Sequence, residues 1–258
     1  MLGDALRCVD EALRRDPDSL DARRLKGVIA LSLTGDMRTA LEELGFVLSR
    51  NPEDTEGALW YAMALGFVDR MSRARELSDR MMKVDPLNTA SHVVQSWLMM
   101  TDGRFDEALS VAHAEHRREP NMFATFTYGQ ALIHTQRWGE MDELAETLRT
   151  GMTSAPLYRI LLAQVHAHRG ERKEVEALID ENLMKTVSRD LQYPWQIAIS
   201  WLLLGEKDKA LSLLETAVSR GFWNSRFLGE LDPYLAPLRD DPRFVALLEK
   251  ARAEAERV

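Results

Sequence analysis

Six histidines and a single cysteine are the side chains of this 258-residue chain best suited to metal or nucleophilic chemistry, and their spacing limits what they can do. His113 and His116 stand three apart with Glu119 beyond them, so on a helix two imidazoles share a face and could hold a metal. The same spacing also arises on solvated faces. His166 and His168 are two apart, which on a helix sends them to different faces; His166 reads as a satisfied interior histidine. Acidic pairs such as Glu42-Glu43 and Asp240-Asp241 have no partner that spacing supplies, and solvated charge or helix capping accounts for them. No phosphate loop, dinucleotide-binding glycine turn, nucleophile elbow or His-Glu-x-x-His helix occurs. Cys8, alone, can form neither an intramolecular disulfide nor a CxxC redox pair. The expectation is a chain without catalytic residues, metal or cofactor. An enzyme with an unrecognised site is the reading set against it.

Composition points the same way. The net charge of −8 argues against a general nucleic-acid or anionic-membrane binder and leaves basic or apolar partners. With 45% hydrophobic and 29% charged residues the chain is of ordinary globular type. Its longest apolar run, residues 58–68, is well short of the roughly 20 residues of a membrane span. The start carries no basic-then-apolar signal segment, so a cytoplasmic location is expected.

What must position the side chains is a repeat. Pro17, Pro52, Pro86, Pro120, Pro156 and Pro194 close similar segments at intervals of 35, 34, 34, 36 and 38. Arg15-Asp16-Pro17, Arg50-Asn51-Pro52, Val84-Asp85-Pro86 and Arg118-Glu119-Pro120 read as a helix stopped before proline and followed by a turn. A second marker falls inside each period at Gly35, Asp69, Gly103, Gln136, Gly170 and Gly205, dividing it into two apolar-periodic stretches. Seven before it stand Val28, Ala62, Ser96, Gly129, Ala163 and Ala198; five after it stand Ala40, Ala74, Ala108, Met141, Val175 and Ala210. Mostly small residues in register on both stretches allow two helices to approach closely. Leu31, Leu65, Met99, Leu132 and Trp201 would fill the adjoining space.

This spacing resembles the tetratricopeptide repeat (TPR), most closely in Gly35-Asp36-Met37-Arg38-Thr39-Ala40-Leu41 and Gly103-Arg104-Phe105-Asp106-Glu107-Ala108-Leu109. The resemblance covers residues 1–220, a partial first unit over 1–17 and then about six units. It implies an all-α, right-handed superhelical solenoid of helix-turn-helix hairpins. The fourth and fifth units depart from the pattern, with Met141 and Val175 in the alanine slot and long segment ends through Gly151 and Tyr193.

Both ends differ from the interior. Ala5, Leu6, Ala12 and Pro17 align with Ala40, Leu41, Val47 and Pro52, so the chain opens inside a unit whose first helix would lie upstream of Met1. Either that orphan helix offers an apolar face, through which the chain could self-associate, or it is a cap with Arg7, Asp10, Glu11, Arg14 and Arg15 facing water. Residues 221–258 read as a capping segment with turns at Leu231-Asp232-Pro233 and Ala236-Pro237. A last helix starts at Asp240 or Asp241 and Pro242, with Phe244, Leu247, Leu248 and Ala251 on one face. The stretch 210–244 resembles the ends of bacterial TPR regions attached to signalling domains, commonly a Ser/Thr protein kinase, a nucleotide cyclase or a winged-helix regulator. No such domain lies within these residues.

The resemblance places the first helices on the concave side. Ten before the marker lie Leu25, Leu59, Val93, Phe126, Ile160 and Trp195; six before it lie Ile29, Met63, Trp97, Gln130, Gln164 and Ile199. Together with His134 and His168, two before the marker, they form the candidate groove: mainly apolar, with a polar tile of Gln130, Gln164, His134 and His168 to orient a bound peptide. A clamp for an acidic tail, which would need basic side chains there, is absent. The expected function is non-catalytic recognition of a protein or peptide, as the docking or regulatory part of a signalling protein, with a purely architectural role as the alternative. One further alternative stays open: Phe222, Trp223, Phe227, Tyr234 and Phe244 could fill the groove themselves.

Overall fold

The computed structural model describes residues 2–149 and 155–258, and Gly151 lies outside them. Among the described residues the regular elements are all helical, and they stack as antiparallel hairpins into an all-α solenoid. Helix α1 (Leu2–Arg15) is followed by α2 (Leu20–Ile29) with α3 (Met37–Arg50), α4 (Thr55–Phe67) with α5 (Met71–Val84), and α6 (Thr89–Thr101) with α7 (Phe105–Arg118). Then come α8 (Met122–His134) with α9 (Trp138–Arg149), α10 (Pro156–His168) with the short α11 (Arg172–Leu178) and α12 (Glu181–Val187), and α13 (Tyr193–Leu203) with α14 (Lys207–Ser219). A π-turn over Phe227–Leu231, a 3-10 turn over Pro233–Leu238 and α15 (Pro242–Glu256) end the chain.

Local chemistry explains why the hairpins begin and turn where they do. Two residues after the closing proline, Asp54 and Asn88 each accept a hydrogen bond from a first-turn amide of the next helix, at 3.0 and 3.1 Å. Asn121 caps α8 in the same way. All six markers have positive φ, including Asp69 and Gln136, because the chain must pass through the left-handed region to reverse in so few residues. Apart from Val28, which is half-buried, the small columns are buried where the two helices of a hairpin cross, and even Met141 and Val175 are fully enclosed there.

The first hairpin departs from the others by one residue. After α2 the backbone widens into a π-turn over Ala30–Thr34, so Asp36 N–H bonds the carbonyl of Ala30, six residues back. The equivalent amides of Arg70, Arg104, Arg137, Glu171 and Glu206 reach only five back. That inserted residue is the thirty-fifth in the Pro17 to Pro52 interval, and it corrects the column reading in this unit. Gly27, not Val28, fills the small position: a Cβ there would come within 2.7 Å of the Leu44 side chain. Leu25 is consequently turned about 100° from the inward direction and is 49% exposed, while Ile29 is buried in the core.

The long fifth interval also has a local cause. The second helix of that unit breaks at Ile179-Asp180, where Asp180 caps α12, and the residues gained form a loop over 188–192 that crosses the concave side. At the last helix Asp241 provides the cap and Phe244, Leu247 and Ala251 are buried, while Leu248 is half-buried. On α1, Arg7, Asp10, Arg14 and Arg15 face solvent and Glu11 is half-buried.

Candidate functional site

The C-terminal segment runs across the hairpin turns from one unit to the next. The amide of Trp223 donates to the carbonyl of Phe67 at 2.8 Å, and the Asn224 side chain donates to Gly66 at 3.1 Å, both in the second unit. Arg226 pairs with Asp102 at 3.2 Å and Leu231 lies against Gly103 in the third. In the fourth, the Tyr234 hydroxyl donates to the carbonyl of Ile133 at 2.6 Å, and in the sixth Lys207 donates to that of Pro237. The array curls far enough for Gly35 of the first turn to meet the backbone of Arg220.

Beneath this segment lies an aromatic core. Phe222 packs edge-on against Phe67 and Trp195 at centroid distances of 5.3 and 5.6 Å, and Phe227 edge-on against Trp195 at 5.2 Å. Trp195 donates its indole N–H to Asp232 at 2.6 Å, and Asp232 also accepts from the Tyr234 amide at 2.9 Å. His134 is enclosed by Phe105, Trp195 and Tyr234; its Nδ1 faces the Gln130 carbonyl at 2.9 Å and its Nε2 lies 3.9 Å from Asp232. Burial and the nearby Asp232 carboxylate push the Tyr234 hydroxyl well above the usual phenol range. This half of the groove is filled by the chain itself.

The half nearer the helix starts is open. A cavity of about 470 Å³ is walled by α4, α6 and α8 and closed opposite by residues 190–193 and Gln196. Trp97 and Phe126 line it at depth, with Phe67 toward the C-terminal segment; Leu59, Met63 and Val93 are half-buried, and Ala90 and Phe123 are exposed at its mouth, Phe123 being 55% exposed. Burial raises the Asp190 carboxyl above its ordinary range, although the amides of Gln192 and Tyr193 donate to it at 2.8 and 3.1 Å. The Tyr193 hydroxyl is raised by the same burial and by Asp190.

Of the sequence candidates, Leu59, Met63, Val93, Trp97, Phe126 and Gln130 come together on this cavity. Leu25, Ile29, Ile160, Gln164, His134, His168 and Trp195 do not line it. Ile160 and Gln164 are fully buried; Gln130 donates to Gln164 at 2.8 Å, and Gln164 donates to the Gln196 carbonyl at 2.9 Å. The polar tile is therefore divided. Its glutamines form an internal ladder, His134 lies in the aromatic core, and His168 is exposed and stacked on Trp138 at 3.8 Å. The residues two before each marker, Leu33, Phe67, Thr101, His134, His168 and Leu203, are buried only where the C-terminal segment covers them, at Phe67, Thr101 and His134. Sequence reasoning missed Trp60, Phe123, Leu191, Gln192 and Gln196; the long fifth interval was the one sign that a loop could reach the groove.

The other candidate groups are held in local pairings. His113 and His116 stack on Tyr128, each at 5.1 Å, and His116 meets the Thr125 hydroxyl at 3.1 Å. Glu119 accepts from Thr89. His166 is half-buried and pairs with Glu171. Glu43 is not solvated charge but a buried link between hairpin helices, paired with Arg23 at 2.7 Å and Lys26 at 2.8 Å.

Comparison with solved structures decides the fold. One chain of the APC/C hetero-tetramer Cut9-Hcn1 superposes with a TM-score of 0.61 over 98% of this chain, at 15% identity. The fold is that of the tetratricopeptide repeat proteins. This chain spans 50% of the length of that chain. A TPR protein from Parabacteroides merdae (TM-score 0.49, 16% identity, 96% of this chain and 93% of that one) and one from Thermus thermophilus (0.47, 18%, 93% and 100%) are also similar. No protein-family model and no curated protein sequence matches the chain.

Proposed function

We propose that this TPR array is a non-catalytic scaffold that recognises a protein or peptide at the open half of its concave groove, as the docking or regulatory part of a bacterial signalling protein in the cytoplasm. The observation that carries the reading is the apolar rim of the cavity, where Leu59, Trp60, Val93 and Phe123 stay partly or largely exposed although the rest of the groove is filled. Scattered exposed apolar residues need no explanation, but a set gathered round one opening marks a binding surface. Among the described residues no basic side chain lines the cavity, so the partner segment that fits is apolar and carries no acidic side chain. Among the described residues no helix is long and apolar enough to cross a membrane.

The test is selection from a displayed random-peptide library on the full chain, with counter-selection on Phe123→Glu. Enriched apolar peptides that bind the parent and lose about tenfold or more on the variant, at unchanged thermal stability, are the expected result. Enrichment that ignores Phe123 and Leu59, or none at all, overturns the reading. A sedimentation measurement giving a stable dimer that α1 charge substitutions dissociate would favour the self-association role instead.

A further inference from the structure

We propose that the cavity beneath this rim is a binding site for a neutral, ring-bearing small molecule that donates hydrogen bonds. The site goes beyond the recognition surface above it and does not depend on a protein partner.

Shape is the first argument. About 470 Å³ lies within the range of small-molecule sites, roughly 300–1,000 Å³. An extended chain cannot run on through the groove, because Phe222 and the Trp223 amide are seated directly against Phe67. A compact molecule entering between Ala90 and Phe123 can fill the space. The rings of Trp60, Trp97, Phe67, Phe126 and Tyr193 around it favour a planar, aromatic body.

Charge is the second. Among the described residues no lysine, arginine or histidine lines the cavity, and the one acid, Asp190, already accepts from two backbone amides. An anion would be desolvated there with nothing to balance it. A neutral ligand incurs no such cost.

Unpaired polar groups are the third. Among the described residues, four that line the cavity each hold a buried polar atom without a partner: the indole N–H of Trp97 and the amide oxygens of Gln130, Gln192 and Gln196. Buried polar groups are normally hydrogen-bonded; these four atoms are closed off from the cavity in the empty protein, so a ligand engages one of them only where its side chain can turn. Three of the four are acceptors, which is why the ligand is assigned a donor. The terminal torsion of glutamine is soft, so the amide oxygens of Gln192 and Gln196 can turn toward an incoming O–H or N–H without moving the helix, whereas Gln130 is held by its bond to Gln164.

The probes are 2-naphthol, 2-methoxynaphthalene and 2-naphthoate, titrated calorimetrically into the full chain. Saturable one-to-one binding of 2-naphthol is expected, with the ether about fivefold weaker and the carboxylate at least about tenfold weaker. The double substitution Gln192→Met with Gln196→Met should bring naphthol down to the ether while leaving the ether unchanged. Ala90→Trp, at an exposed position of the mouth, should abolish binding at an unaltered melting temperature; if it fails to fold, Phe123→Glu serves instead. Equal affinity for naphthol and naphthoate, or binding untouched by the mouth variants, overturns the proposal. So does uptake of the capped peptide acetyl-Leu-Phe-Leu-amide with no naphthalene bound, an outcome that would leave the protein-recognition reading standing.

Discussion

The two halves of the concave groove are walled by the same helices, yet beside the hairpin turns it is filled and hydrogen-bonded while beside the helix starts it is hollow. On the filled side the indole of Trp195 has Asp232 as its acceptor, and successive turns are tied by Trp223, Asn224, Arg226 and Tyr234; the Nε2 of His134 and the Nε of Arg220 are exceptions there. On the hollow side the indole of Trp97 and three glutamine oxygens have no partner. A repeat array supplies the same wall to both halves, and what separates them is the non-repeating segment that covers one of them. Stability should reside in the covered half and binding in the other.

The largest effect is expected from Phe222→Ala. It empties the centre of the aromatic core, and truncation of a fully buried phenylalanine costs about 3–5 kcal/mol. Equilibrium urea unfolding would measure it; a cost below about 1 kcal/mol would show that the C-terminal segment is an ornament on the solenoid and not part of it.

One substitution made in both halves sharpens the contrast. Trp195→Phe leaves a carboxylate oxygen of Asp232 without its indole donor inside a closed core, and about 3 kcal/mol of destabilisation is expected. Trp97→Phe removes an N–H that has no partner and leaves space beside an existing cavity, so about 1 kcal/mol or less is expected. Similar costs at the two sites would break the comparison.

Closure of the array can be isolated with two glycines. Gly35 and Gly170 have nearly the same φ, 73° and 74°, so alanine suffers the same left-handed strain of about 1–2 kcal/mol at either. A Cβ at Gly35 would also stand 2.6 Å from the carbonyl oxygen of Arg220, whereas at Gly170 it meets nothing within 4 Å. Gly35→Ala should therefore exceed Gly170→Ala by about 1 kcal/mol or more in thermal unfolding. Equal values would mean that the first and sixth units do not lean on one another.

How far the sequence could be read follows from the same division. Hairpins, turn markers and small columns were legible because they recur in phase, and each occurrence reports on the others. Features found once were not. The π-turn after α2 moved Leu25 out of the groove and Ile29 into the core, although the 35-residue interval and Gly27 together carried its trace. The path of residues 220–241 had no repeat to align with. Its aromatic residues gave the chemistry of a filler without showing that it would cover Phe67, Thr101 and His134 and leave His168 in the open. The cavity depends on both, being what the covering segment leaves.

The smallest expected change tests whether the turn markers are set by backbone geometry alone. Gln136 is exposed, sits at φ 57° and has no glycine's freedom there, while four of the other five markers are glycine. Since the native conformation already lies in the region that glycine enters without strain, Gln136→Gly should stabilise the array, offset in part by the added freedom of the unfolded chain. A net gain of about 0.5–1 kcal/mol is expected in thermal unfolding, with binding at the cavity unaltered because the residue lies at the covered end of α8. A loss of stability would mean that the glutamine side chain, and not only its φ, holds the fourth turn.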